Sequence, residues 1–128
     1  MDASKLGKLS KEGKDFRIYS TPLKSFERAL MELSHNGIER ISTISGVDTG
    51  KQIDVLYHFV SGEESISLKI ILPRKDAKIK TIKKSFPGAV LYERELSEML
   101  GVKIIGNESP KNILLDKESP KNPLRKSP

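Results

Sequence analysis

Two runs of strict alternation joined by four residues constrain this chain more than any other feature in it. Ile53, Val55, Tyr57 and Phe59 alternate with Asp54, Leu56, His58 and Val60, and after Ser61-Gly62-Glu63-Glu64 a second run puts Ile66, Leu68, Ile70 and Leu72 on one side. A two-residue period belongs to a strand, so the pair reads as a β-hairpin with one buried face. Pro73 ends the second run, because it has no amide hydrogen to give to a ladder.

The cover for that face is sought in the two best helical patterns. Thr21-Pro22 offers a cap and a first-turn proline, Leu23, Phe26, Leu30 and Leu33 follow at spacings of three, four and three, and Asn36-Gly37 stops the run. A second helix is predicted within Phe86–Gly101: Pro87 suits its first turn, Gly101 its left-handed end, and Ala89, Tyr92, Leu96, Met99 and Leu100 form the buried stripe. Glu93, Arg94 and Glu95 are consecutive and point in three directions, so at least one lies close to that stripe and needs a partner. Arg94 and Glu98 are four apart and can pair on the surface.

Weaker signals fill the rest. Phe16, Ile18 and Tyr19 begin a short strand. Ile38 to Ser45 is rich in β-branched residues and reads as a strand, although Ile41 and Ile44, three apart, break the alternation. Ile79, Ile82 and Phe86 suggest a short helix. The expected fold is α+β, with a mainly antiparallel sheet of three to four strands covered by helices on one face. The expected divisions are an N-terminal arm or short strand over residues 1–20, with residues 1–14 frayed or an adaptor arm; a domain over 21–105; and an extended tail over 106–128. That tail has no period, but it holds an apolar Ile113-Leu114-Leu115, several prolines and two copies of Glu-Ser-Pro-Lys-Asn. Such a segment gains order by lying on a partner, or else stays disordered.

Composition removes several classes of function. Without a single cysteine the chain has no thiolate for an iron–sulfur cluster, no disulfide and no thiol nucleophile. The first twenty residues are polar and dotted with lysine, unlike a signal peptide. No apolar run approaches the roughly 20 residues of a membrane span, so a soluble chain is expected. The net charge of +6 is concentrated in residues 69–84, where Lys69, Arg74, Lys75, Lys78, Lys80, Lys83 and Lys84 face only Asp76. Such a patch fits nucleic acid, anionic lipid or an acidic protein, and equally a plain solvated face.

Catalytic patterns are missing. There is no glycine-rich phosphate loop, no His-Glu-x-x-His and no Gly-x-Ser-x-Gly. His35 and His58 are isolated and read as structural or exposed rather than as metal ligands. Glu93, Glu95 and Glu98 read more simply as ion-paired structural groups than as an acid–base pair. No catalytic, metal or cofactor-binding residue is assigned to this chain.

The stretch from Phe86 to Gly101 resembles the signature of the C-subunit family of respiratory complex I, shared with the small subunit of energy-converting membrane-bound nickel–iron hydrogenases. In that signature an aromatic-Pro-x-Ala run leads into aromatic-Tyr-Glu-Arg-Glu, then Asp-Met, an aromatic and Gly-Ile. Phe86, Pro87, Ala89, Tyr92, Glu93, Arg94, Glu95, Met99 and Gly101 match; Glu98 replaces Asp, Leu91 and Leu100 replace aromatics, and Val102 replaces Ile. Farther on, Gly106, Ile113, Leu114, Pro123, Leu124, Arg125 and Lys126 match in place, whereas Asn107 to Asn112 stand where His-Pro-Asp-Leu-Arg-Arg is usual.

The resemblance implies a small α/β sandwich with an extended tail and no active site of its own. It implies a peripheral position on the inner, cytoplasmic face of the cell membrane, beside a hydrogenase-type large subunit, an iron–sulfur small subunit and a membrane module. Any nickel–iron site and iron–sulfur clusters would belong to those partners. Expected partner contacts are Tyr92, Glu93, Arg94, Glu95, Glu98, Ile113, Leu114, Pro123, Leu124, Arg125 and Lys126. The short chain and the altered tail point to a ferredoxin-linked hydrogenase over a quinone-reducing complex of NADH- or F420H2-dependent type. The rival reading is a free-standing basic module that binds RNA or DNA, against which stands the lack of an aromatic strand motif for base stacking.

Overall fold

A computed structural model describes residues 3–38 and 40–107. The expected hairpin is its centre. Strand β4 (Gln52–Ser61) pairs antiparallel with β5 (Glu64–Pro73), Tyr57 opposite Leu68 and Phe59 opposite Ile66, through a two-residue turn with Gly62 at φ +62°. That positive φ at the first central position matches the twist of the flanking strands. All eight residues of the predicted inner face are buried.

Three more strands complete the sheet, in the order β1-β2-β5-β4-β3. Strand β3 (Arg40–Asp48) runs antiparallel to β4 with a bulge between Ile41 and Thr43. That bulge explains the broken alternation: one extra residue returns Ile44 to the core side. Strand β2 (Phe16–Ser20) lies parallel to β5, and β1 (Lys8–Glu12) forms the exposed edge beside it. The sheet is therefore mixed and five-stranded. Residues 3–14, read from sequence as a frayed or adaptor arm, contain a single 3-10 turn over Ala3–Leu6 followed by β1. Leu6 anchors this segment, because its side chain is buried and its carbonyl accepts the Thr21 hydroxyl at 2.5 Å.

That hydrogen bond also takes Thr21 away from the capping role expected of it. A 3-10 turn over Leu23–Ser25 intervenes, and helix α1 (Phe26–His35) begins after it. Phe26, Ala29, Leu30 and Leu33 face the sheet, with the Phe26 ring 4.8 Å from that of Tyr57. Asn36 and Gly37 end the helix as predicted, Gly37 at φ +82°.

The short helix expected around Ile79 is not formed. Lys78–Lys80 is instead a strand, β6, paired in parallel with β7 (Lys103–Ile105). Ile79 and Ile82 are buried all the same. Their spacing of three satisfies an inward-facing strand residue followed by a turn as well as it does a helix, so period alone could not separate the two. After Phe86, whose ring meets that of Phe59 in a tilted contact with centroids 4.7 Å apart, a 3-10 turn over Pro87–Ala89 leads into helix α2 (Val90–Leu100), and Gly101 closes it at φ +72°.

Helix α2 lies directly on β3. A β-carbon at Gly46 would fall 2.5 Å from Leu100 Cδ1 and 2.6 Å from Leu96 Cδ1. At the end of the same strand, Arg74 holds buried Asp48 with both ends of its fork: Nε is 2.8 Å from Oδ1 and Nη2 3.0 Å from Oδ2. Gly46→Val is expected to lower stability by about 1–3 kcal/mol, the usual cost of overpacking. Urea denaturation at equilibrium checks this, and an unchanged midpoint would mean that α2 does not sit this close to β3.

Candidate partner-binding helix and its buried carboxylate

The consecutive charges on α2 face different surroundings. Glu93 is 0% exposed. Its Oε1 accepts the Thr81 hydroxyl at 2.5 Å and the Asn107 side-chain amide at 3.0 Å, and its Oε2 accepts the Ile82 backbone N–H at 2.8 Å. No ion pair reaches it among the described residues. One carboxylate thus ties α2 to the turn after β6 and to the residue that leaves β7. Asn107 also donates to the Val90 carbonyl at 3.1 Å, and Thr81 N–H donates to Ile105 at 2.8 Å. Gly106 and Asn107, expected from sequence to begin the tail, therefore pack onto the globular fold.

The inward orientation follows from spacing. Ala89, Glu93, Leu96 and Leu100 lie four, three and four apart, which is one face of a helix. All four are buried. Tyr92 and Met99, assigned to the stripe, are only half-buried beside it. The signal for Glu93 was present in the sequence, but an acidic residue is easily skipped when apolar positions are counted. Tyr57, whose ring packs against Phe26 of α1, carries a buried hydroxyl with no hydrogen-bond partner among the described residues. Burial, and then the charge of Glu93, push its pKa far above the usual phenol range.

On the opposite side, Leu91, Arg94 and Glu95 occupy a second face of α2. Leu91 is 60% exposed, Glu95 is exposed and Arg94 is half-buried. Arg94 forms no ion pair among the described residues, and its buried Nε finds no hydrogen-bond acceptor there. The expected surface pair with Glu98 is therefore absent from the ion pairs of the described residues, and Glu98 is buried. Ile113, Leu114, Pro123, Leu124, Arg125 and Lys126 lie outside the described residues.

The remaining candidates take structural places. His58 bridges three strands on the open face of the sheet, Nδ1 2.7 Å from Ser67 Oγ and Nε2 3.0 Å from Ser45 Oγ, and burial lowers its pKa from the ordinary value. The basic segment is largely engaged. Lys69 reaches Asp54 at 3.6 Å, Arg74 holds Asp48, Lys80 reaches Glu27 at 3.5 Å, and Lys83 donates to the Gly106 carbonyl at 2.8 Å. Among the described residues no group of three His, Cys, Asp or Glu side chains could hold a metal ion. No described helix is long and apolar enough to cross a membrane.

A two-helix cover on a mixed sheet, with a signature helix that buries Glu93 and leaves Leu91 and Glu95 exposed, defines a small α+β domain. The profile described as respiratory-chain NADH dehydrogenase, 30 Kd subunit, matches residues 16–128, and the chain belongs to that family. It is 35% identical over 94 residues to the C/D subunit of NADH-quinone oxidoreductase of Erwinia tasmaniensis, and to the same protein of Salmonella heidelberg. In both cases the match covers 72% of this chain but only 16% of the relative. Among solved structures, the fold is similar to a chain of the membrane-bound sulfane sulfur reductase, an archaeal respiratory membrane complex. There the TM-score is 0.78 at 23% identity, covering 88% of this chain and 71% of that one. It is also similar to a trypsin-resistant fragment of Nqo5, with a TM-score of 0.73 at 18% identity over 83% of this chain and 91% of that one.

Glu93→Leu is expected to destabilise the domain by about 3 kcal/mol or more, because it leaves buried donors of Thr81, Ile82 and Asn107 without an acceptor. Glu93→Gln keeps the shape and one acceptor oxygen and should cost less. Glu95→Ala, on the exposed face, should shift the denaturation midpoint hardly at all. Equal effects at Glu93 and Glu95 in chemical denaturation would contradict the inward assignment.

Proposed function

We propose that this chain is a non-catalytic, peripheral subunit of a membrane-associated, complex I-like oxidoreductase. In that assembly it braces the large subunit, the one that carries or descends from a nickel–iron site. The observation that carries the proposal is the division of the signature helix. Glu93 fixes the helix from inside, which leaves Leu91, Arg94 and Glu95 to face a neighbour. The half-buried Arg94 has no ion pair among the described residues, so the accessible part of its guanidinium can take up a partner carboxylate, and such charge-assisted pairs are among the strong ones. Family membership supports the same reading.

Residues 108–128 serve as a strap in this proposal, with Ile113 and Leu114 as its apolar anchor and Pro123, Leu124, Arg125 and Lys126 at its far contact. Iron–sulfur clusters and any nickel–iron site lie in partner subunits, and electrons pass through those partners to drive ion translocation in the membrane module. The chain would sit on the cytoplasmic side of that module. Lys111 and Asn112 replace a planar arginine pair in the tail and so loosen its docking geometry, which supports a ferredoxin-linked hydrogenase. The 35% identity to NADH-quinone oxidoreductase subunits supports a quinone-reducing complex as the second reading.

Affinity purification from native membranes through a tag on this chain tests the proposal. The expected result is co-purification of a hydrogenase-type large subunit, and an Arg94→Ala chain that melts like the wild type yet recovers much less of it. Hydrogen evolution from reduced ferredoxin supports the hydrogenase branch, while quinone or phenazine reduction without hydrogen turnover selects the other. Recovery of ribonucleoprotein in place of oxidoreductase subunits would overturn the assembly reading.

A further inference from the structure

Between the start of α1 and the β6–β7 pair lies a groove of about 360 Å³. Phe26 and Ile79 give it an apolar floor, and Leu23 and Ile105 line it while remaining 48% and 40% exposed. Single exposed aliphatic residues need no explanation, but here two of them line one concavity. The surroundings are cationic. Lys24, Lys78 and Lys80 line the groove, with Glu27 as the sole acidic member among the described residues. Lys103 lies in register with Lys78 on the two-stranded sheet.

The existing ion pairs do not close this site. Lys80 reaches Glu27 at 3.5 Å and Lys78 reaches Asp76 at 3.8 Å, all with more than half of each side chain exposed. Pairs of that kind are worth little and exchange partners readily. Lys24 has no ion pair among the described residues.

We propose that this groove receives an acidic segment of another subunit of the assembly. One large apolar side chain enters beside Leu23 and Ile105, and flanking carboxylates meet Lys24, Lys78 and Lys80. The inference rests on the proposed assembly. Charge complementarity selects this occupant over the chain's own residues 108–128. That segment offers Ile113-Leu114-Leu115, but Lys111, Lys117, Lys121, Arg125 and Lys126 outnumber Glu108, Asp116 and Glu118, so it would bring net positive charge to a positive rim. An anionic membrane would satisfy the lysines, but Leu23 and Ile105 line a concavity and do not protrude as a membrane-inserting face does.

The test uses the full chain in its native host, with the photo-crosslinking residue p-benzoylphenylalanine in place of Ile105 and, in separate chains, of Leu23 or Leu91. Leu23 is the second probe of the groove should the Ile105 chain fail to fold, and Leu91 reports the exposed face of α2. Mass spectrometry of the products is expected to find the groove probes joined to a stretch of a neighbouring protein of the complex in which acidic residues outnumber basic ones. Lys78→Glu together with Lys80→Glu should cut that yield by roughly tenfold or more and leave the Leu91 product unchanged. Three results would overturn the proposal while Leu91 still captures a neighbour: crosslinks into residues 108–128, crosslinks into phospholipid, or no protein product. A groove crosslink to a neighbouring protein that survives the double charge reversal at full yield would also overturn it. Silence at Leu91 and at both groove positions would bring down the proposed assembly itself.

Discussion

The buried carboxylate of Glu93 is the interaction on which the rest of this structure depends. A carboxylate removed from water is tolerated only when hydrogen bonds replace its hydration. Here a hydroxyl, a backbone amide and a side-chain amide do so, each reaching in from outside the helix: Thr81 and Ile82 after β6, and Asn107 after β7. The short β6–β7 pair has only three residues in each strand and would be marginal by itself. The carboxylate joins it to α2, and α2 joins it through Leu96 and Leu100 to β3 at Gly46.

That single orientation also sets which positions of the helix turn away from the sheet. Successive residues on a helix are turned by about a quarter of a revolution, so with Glu93 inward the positions of Leu91, Arg94 and Glu95 must face away from the sheet. The consecutive charges of the signature therefore divide into one residue that holds the fold, a half-buried Arg94 and an exposed Glu95. Both the partner-binding proposal and the groove beside β6–β7 depend on the same knot, since Lys78, Lys80 and Ile105 belong to the strands that it anchors.

The central hairpin, both principal helices and their glycine ends were legible in the sequence, because each rests on a short-range rule: a period of two, a period near 3.6, or a position that needs a positive φ. The bulge in β3 was visible as the Ile41–Ile44 irregularity, though not as a bulge. Two features were hidden for physical reasons. The parallel pairing of β2 with β5 is a long-range choice that leaves no local pattern. Strand β6 has a single inward residue, Ile79, and so carries no period at all. Of the candidate site, the need for a partner near the stripe was foreseeable from Glu93-Arg94-Glu95. The partners themselves were not, since Thr81 and Asn107 are 12 and 14 residues away in the chain. The groove was invisible in the sequence for the same reason, as its walls come from segments more than fifty residues apart.

Amide hydrogen exchange at Ile82 tests the account most directly. This N–H belongs to no helix or strand, and a loop amide facing solvent would exchange quickly. If it donates to a buried Glu93 carboxylate, it should exchange only when the domain opens, at a rate close to those of core amides in β4 and β5. Exchange at ordinary loop rates in the intact domain would contradict the claim that Glu93 fixes the signature helix from within.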